Sequence, residues 1–399
     1  MTLVSSAHQL QHTPAADEDA VEAITRRGGP ALRARMVEIE LHLQQVTAAA
    51  GPPLAAHASA TIAAGGKRLR PLLVVLAAEA ARGTADAPRV SAVTSQVMRP
   101  ALAMPEAPEV ATPDTHANAE LVRAAASVEL LHSATLVHDD VIDQASLRRG
   151  HPTVVAAAGP EIAIATGNLL FACAFAELAR NDDAAQLRAL SDASSALAAG
   201  ELLQREDAYA PHVSVERYLR RCELKTAALF EAACRLGALT AAASPPRSAT
   251  LIGAAKSVRA AESSHQAVST RLADPLGLFA RRIGLAFQLL DDVLDISGPV
   301  ERTGKARGTD LLDGTVTLPL ILARERDEQL AAFDLRALRD VTQAESVCDQ
   351  IAATGALEEA RARALAIVAD AKQELPANLP NGNSALLELV ADAVVDRYR

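Results

Sequence analysis

The chain has 399 residues, 50% of them apolar and 22% charged, so it buries enough surface to fold and global disorder is excluded. Aromatic residues are only 2%, with no Trp, which removes the flat rings that base-stacking and aromatic sugar sites need. A balance of 39 basic against 49 acidic residues, a formal charge of -10, disfavours wholesale binding of nucleic acid or an anionic membrane.

Along the chain, the N-terminus carries Asp17, Glu18 and Asp19 and no apolar h-region, so no signal peptide is read. Residues 1–28 are polar and mixed, which predicts a flexible tail. A first helix is expected from about Ala31 to Ala50, stopped by Gly51, Pro52 and Pro53, and a second from about Leu54 to Ala64, stopped by Gly65 and Gly66. Pro71 to Ala81 continue in a helical pattern. From Gly83 to about Asn118, Pro, Thr, Ser and Asp take over and predict an inserted loop. Helical periodicity returns at Glu120 and runs through Asp143, then again from Ile162, from Ala184, from Val215 and from Pro275 to Asp295.

The apolar run Ile162 to Ala176 is interrupted by Thr166, Gly167 and Asn168 and is shorter than the ~20 residues a membrane span needs, so it reads as a buried core helix. Ser244 to about Asp274 predicts a second insertion, with room for a short helix over Leu251 to Ala261. No alternating strand pattern exceeds four residues, so the fold class is all-α. Cys173, Cys222, Cys234 and Cys348 lie among alanine-rich stretches without metal-ligand spacing, the pattern of buried free thiols in a reducing cytoplasm.

One pentapeptide pattern recurs at the end of two apolar helices: Asp139-Asp140-Val141-Ile142-Asp143 and Asp291-Asp292-Val293-Leu294-Asp295. Residues i and i+4 of a helix share a face, about 6 Å apart, so Asp139 with Asp143, and Asp291 with Asp295, each make a two-pronged oxygen clamp. Two carboxylates ~5 Å apart repel by roughly 3 kcal/mol at an effective dielectric of ~20, so such a cluster is costly unless a cation joins it. Hard oxygen ligands suit Mg²⁺, which completes its octahedron with water and phosphate oxygens. Two clamps suggest a diphosphate held by several Mg²⁺ ions.

Cations accompany these clamps. Gly65-Gly66-Lys67-Arg68-Leu69-Arg70-Pro71 sets three of them after a diglycine turn, and it lacks the spacing and the Ser/Thr of a Walker loop. Arg148-Arg149-Gly150 follows Asp143 within loop reach. His132 lies two turns before Asp139 on the same face, and Gln288 precedes Asp291 by three residues. Lys225-Thr226 and the loop Gly304-Lys305-Ala306-Arg307-Gly308-Thr309-Asp310 are further candidates for diphosphate contact.

In chain order, GGKRLRP, HSATLVHDDVID, RRGHPTV, the stretch LKTAALFEAACRLGA around Lys225, GLAFQLLDDVLDI and GKARGTDLLDGTVTLPLILA resemble the trans-isoprenyl diphosphate synthases, the polyprenyl synthetase family. The likeness covers roughly residues 50–82, 119–242 and 275–399. It implies one domain over residues 29–399, a bundle of long helices around a central hydrophobic cavity, with insertions at about 83–118 and 243–274. It implies Mg²⁺ on Asp139, Asp140 and Asp143 and, opposite, on Asp291, Asp292 and Asp295. Lys67, Arg70, His132 and Arg149 match positions that hold isopentenyl diphosphate; Arg148, Lys225, Thr226 and Gln288 match those that contact the allylic prenyl diphosphate. The reaction implied is condensation of the two substrates in the head-to-tail trans sense, with release of pyrophosphate.

In that family the residue five before the first aspartate often limits product length. Here it is Ala134, with Leu131 about one turn further down, which favours a long-chain product; on a simple wheel Ala134 is rotated ~140° from Asp139, so the role comes from the resemblance alone. The ending VVDRYR also looks like long-chain members. Thr315 stands where many relatives carry Lys. The partner set implied is a homodimer, with no nucleic acid, no transmembrane segment and release of product at a membrane surface. Two other readings compete: a class I terpene cyclase, whose second metal motif normally mixes Asn/Asp, Ser/Thr and Glu, and a catalytically silent subunit of a heteromeric synthase, which usually loses aspartates.

Overall fold

Alanine-rich apolar stretches, punctuated by Gly and Pro, fold as helices almost throughout the computed structural model, which describes residues 20–83, 113–242, 255–298, 306–377, 379 and 381–396. The N-terminal half holds α1 (Ala20–Arg27), α2 (Gly29–Ala48), α3 (Leu54–Ala63), α4 (Leu69–Gly83) and α5 (Pro113–Ile142). A two-stranded hairpin, β1 (Leu147–Arg148) against β2 (His151–Pro152), interrupts the helices before α6 (Val154–Ala158), α7 (Pro160–Ala179) and α8 (Ala184–Asp207). Next come α9 (Val215–Cys222), a π-helical turn (Glu223–Ala227) and α10 (Ala228–Ala242), which run on without a break. The remainder is α11 (Ala255–Ser297), α12 (Thr309–Leu312), α13 (Leu318–Arg324), α14 (Glu328–Ala332), α15 (Val341–Ala353), α16 (Ala356–Gln373) and α17 (Asn381–Asp396).

The all-α expectation holds, with the four-residue hairpin as its one departure among the described residues. Helix α10 lies at the centre, packed against α4, α5, α8 and α11, and its Phe230, Ala233 and Cys234 are fully buried. Small side chains permit that density of helix contacts: Ala77, Ala78, Ala125, Ala126, Ala280 and Ala286 are all buried.

Several expected boundaries move. Residues 20–27 of the expected tail form α1, which packs on α2 and α17. Helix α5 begins at Pro113, so only residues 84–112 of the first insertion lie outside the described residues. Within the second insertion a helix longer than the short one expected is present: residues 255–274 contain neither Gly nor Pro and join α11, a helix of 43 residues. Pro275, expected at the start of a helix, sits inside it, where only one backbone N–H is lost. Residues 243–254 lie outside the description.

Helix α7 extends the run Ile162 to Ala176 to 20 residues, long and apolar enough by length and composition to cross a membrane. One face packs on α5, while Ile164 and Phe171 are exposed, so it is not the wholly buried core helix expected.

Candidate active site

Both aspartate motifs end long helices, where the carbonyl end of the helix dipole disfavours negative charge and makes the cost of clustering higher still. At the end of α5, Asp140 is buried and accepts from Nε and Nη2 of Arg148, each at 2.7 Å. Asp143 accepts from Nη2 of Arg205 on α8 at 2.8 Å. Arg205 Nε also donates to Glu201 at 3.2 Å, and Glu201 pairs with Lys225. Burial pushes Asp139 up to about 6; Glu201 and Asp143 add to the shift while Lys225 and Arg148 oppose it.

At the end of α11, both oxygens of buried Asp292 are held: Tyr218 donates its hydroxyl at 2.7 Å and Gln288 donates Nε2 at 2.7 Å. Burial, and then the charge of Asp310, nonetheless hold Asp292 well above the ordinary carboxylate range. Asp295 accepts from the Asp310 backbone N–H at 3.2 Å, which ties this motif to the start of α12. Asp291 is partly exposed beside them.

What joins the motifs is the π-helical turn. Its wider winding puts two consecutive side chains to work on different neighbours. Lys225 pairs with Glu201 and acts electrostatically on Asp139, whereas Thr226 donates to Gln288 Oε1 at 2.7 Å, and Gln288 in turn holds Asp292. Helix α8 comes so close at this point that a Cβ on Gly200 would lie 2.5 Å from the Lys225 backbone nitrogen, so only glycine fits.

Beside the first motif lies a cavity of about 130 Å³ whose walls include Arg68, His132, Asp140, Arg148 and Arg149. Arg70, with its guanidinium 4.7 Å over the Phe230 ring, has Nε without a partner among the described residues. Burial, assisted by Arg149, pulls Arg70 down to about 10, even though Glu129 opposes. Burial and the charges of Arg70, Arg149, Arg148 and Arg68 hold His132 well below the usual histidine range, so it stays neutral. Arg149 packs so near the diglycine turn that a Cβ on Gly66 would lie 2.8 Å from its Nη1. Positive charge is concentrated here. Arg68 differs from its neighbours: it donates to Glu40 at 2.8 Å and 3.1 Å, to Glu129 at 2.7 Å and to the Ile62 carbonyl at 2.8 Å, so it fixes the loop.

Residues 52–354 match the polyprenyl synthetase family. The chain belongs to that family. Among polyprenyl synthetases it is 32% identical over 328 residues to heptaprenyl diphosphate synthase component 2 of Geobacillus stearothermophilus, covering 82% of this chain and 84% of that one. It is 32% identical over 306 residues to the all-trans-nonaprenyl-diphosphate synthase (geranyl-diphosphate specific) of Rhodobacter capsulatus, covering 76% of each. A solved polyprenyl synthase from Caulobacter crescentus, complexed with calcium and isoprenyl diphosphate, superposes with a TM-score of 0.71 at 29% identity, over 95% of this chain and 98% of that one.

Of the residues singled out from sequence, Asp139, Asp140, Asp143, Arg148, Lys225, Thr226, Gln288 and Asp292 are joined by side-chain contacts, charge interactions and the chain step from Lys225 to Thr226, and His132, Arg70 and Arg149 interact beside the first motif. Lys67 is exposed on the same diglycine turn. Ala134 and Leu131 are fully buried and lie outside the cavity lining. Lys305 lies outside the described residues. Sequence reasoning missed Arg205, Glu201 and Tyr218. Glu201 and Arg205 are an ordinary i,i+4 pair, and Tyr218 looks like a core aromatic, so their only signal is their distance in space from the motifs.

Proposed function

We propose that the chain is a Mg²⁺-dependent, long-chain all-trans polyprenyl diphosphate synthase that condenses isopentenyl diphosphate with an allylic prenyl diphosphate. The observation that carries this reading is the pair Lys225 and Thr226, which links both aspartate motifs into one site. A terpene cyclase normally carries a different second motif and aromatic rings to shape its cation, and a silent subunit usually loses aspartates, whereas this chain keeps all six.

The donor set fits magnesium. Among the described residues no cluster of three or more metal-ligating side chains is assembled, so each motif would supply a pair of carboxylates and the diphosphate the remaining oxygens. Asp139, left high by burial, gains from a cation beside it. Bound magnesium would neutralise the diphosphate and make it a better leaving group.

Arg148, Lys225 and Thr226 would orient the allylic diphosphate; Lys67, Arg70, Arg149 and neutral His132 would hold isopentenyl diphosphate. Cleavage of the allylic C1–O bond sends its electron pair to pyrophosphate, the isopentenyl double bond forms the new C–C bond at C1, and pyrophosphate takes the proton lost from C2. The cations stabilise the charge that develops on the leaving oxygen. The exposed Ile164 and Phe171 on α7 support pairing with a second copy of the chain.

The test is to incubate the purified chain alone with Mg²⁺, labelled isopentenyl diphosphate and a series of allylic starters, then size the products. Long all-trans polyprenyl diphosphates are expected, and Ala134→Phe is expected to shorten them. No product from the chain alone would favour the silent-subunit reading.

A further inference from the structure

Arg205 lies in the last turn of α8, half-exposed, with its guanidinium on Asp143 and Glu201. From the first aspartate motif to the π-helical turn the charges alternate: Asp143, Arg205, Glu201, Lys225. The arginine thus occupies a carboxylate that a divalent cation would need, at the edge of the site where Lys225 points.

A guanidinium and a doubly charged ion sharing one carboxylate repel each other. A solvent-accessible ion pair of this kind contributes little to stability, so giving it up is cheap. The freed guanidinium would carry a planar fork that matches two phosphate oxygens. On these grounds, and resting on the synthase reading above, we infer that Arg205 is a metal-exchanged substrate-binding residue. It neutralises Asp143 before magnesium arrives and, once the metal takes that carboxylate, turns onto the diphosphate oxygens beside Lys225.

The exchange makes two opposite demands on the variant Arg205→Gln, both readable by calorimetric titration without turnover. With Mg²⁺ alone, the variant binds the metal several-fold more tightly than wild type, because the competing cation is gone. With pyrophosphate titrated at saturating Mg²⁺, it binds about tenfold more weakly, the worth of one charge-assisted hydrogen bond. Arg205→Lys, which keeps the charge and loses the fork, falls between the two in pyrophosphate affinity. Pyrophosphate affinity equal to wild type in Arg205→Gln, or Mg²⁺ affinity unchanged or weakened without pyrophosphate, overturns the proposal. Wild type that binds no pyrophosphate with Mg²⁺ defeats the synthase reading itself; wild type that binds it while Arg205→Gln is indifferent rejects only the role of Arg205.

Discussion

His132 faces the charges of four guanidiniums and stays neutral, so in the proposed synthase it would bring a hydrogen bond to the diphosphate and no charge. Replacement by Ala is therefore expected to raise the KM for isopentenyl diphosphate about tenfold, the cost of one lost bond to a charged group. Gln, a neutral donor of similar reach, should retain most of the activity, and the pH–rate profile should keep its shape in both. A His132→Gln enzyme as impaired as His132→Ala would rule out this role. At this scale the sequence is informative where spacing alone defines geometry: the i,i+4 aspartates share a face whatever surrounds them. It is silent on Arg68, which sits between Lys67 and Arg70 in GGKRLRP yet is consumed by Glu40 and Glu129. Only the fold brings those glutamates near.

The element that matters most is five residues long. A π-helical turn adds one residue per turn without altering composition or periodicity enough to be read, so Glu223–Ala227 looks like ordinary helix in the sequence. Its placement depends on Gly200, and Gly200→Ala tests it. Elsewhere in a helix that change would stabilise by about 1 kcal/mol. Here the new methyl must displace either α8 or the turn, so we expect kcat to fall at least about tenfold, with a Tm below wild type, because misplacement of catalytic groups by a fraction of an ångström is expensive. Full activity with a raised Tm would show that the close approach is dispensable. Helix α11 shows the complementary case: Pro275 locally marks a helix start, and the packing of α11 on α10 and α16 carries the helix through it.

For the molecule as a whole, the site binds ligands only when folded, so Mg²⁺ with pyrophosphate should raise Tm; at 100 times the dissociation constant the gain is about 2.7 kcal/mol. A carboxyl held above its unfolded value binds more protons folded than unfolded, so in the metal-free protein the contribution of Asp139 to stability falls as pH rises from 3.8 through about 6. The Tm increment from Mg²⁺ with pyrophosphate is accordingly expected to be larger at pH 7.5 than at pH 5.5 in differential scanning fluorimetry. An increment independent of pH would argue that the metal does not meet Asp139. Fold class and family were legible from helical periodicity and ordered motifs. The cavity and the links between motifs were not, because the cavity forms where α3, α5, the hairpin and α6 meet and the links form where α8, the π-helical turn and α11 meet. That arrangement also sorts charge: a chain of net -10 gathers Arg68, Arg70, Arg148 and Arg149 around one histidine. A diphosphate approaching that cluster would gain an attraction that the net negative charge of the chain opposes, and dissolved salt would weaken both effects.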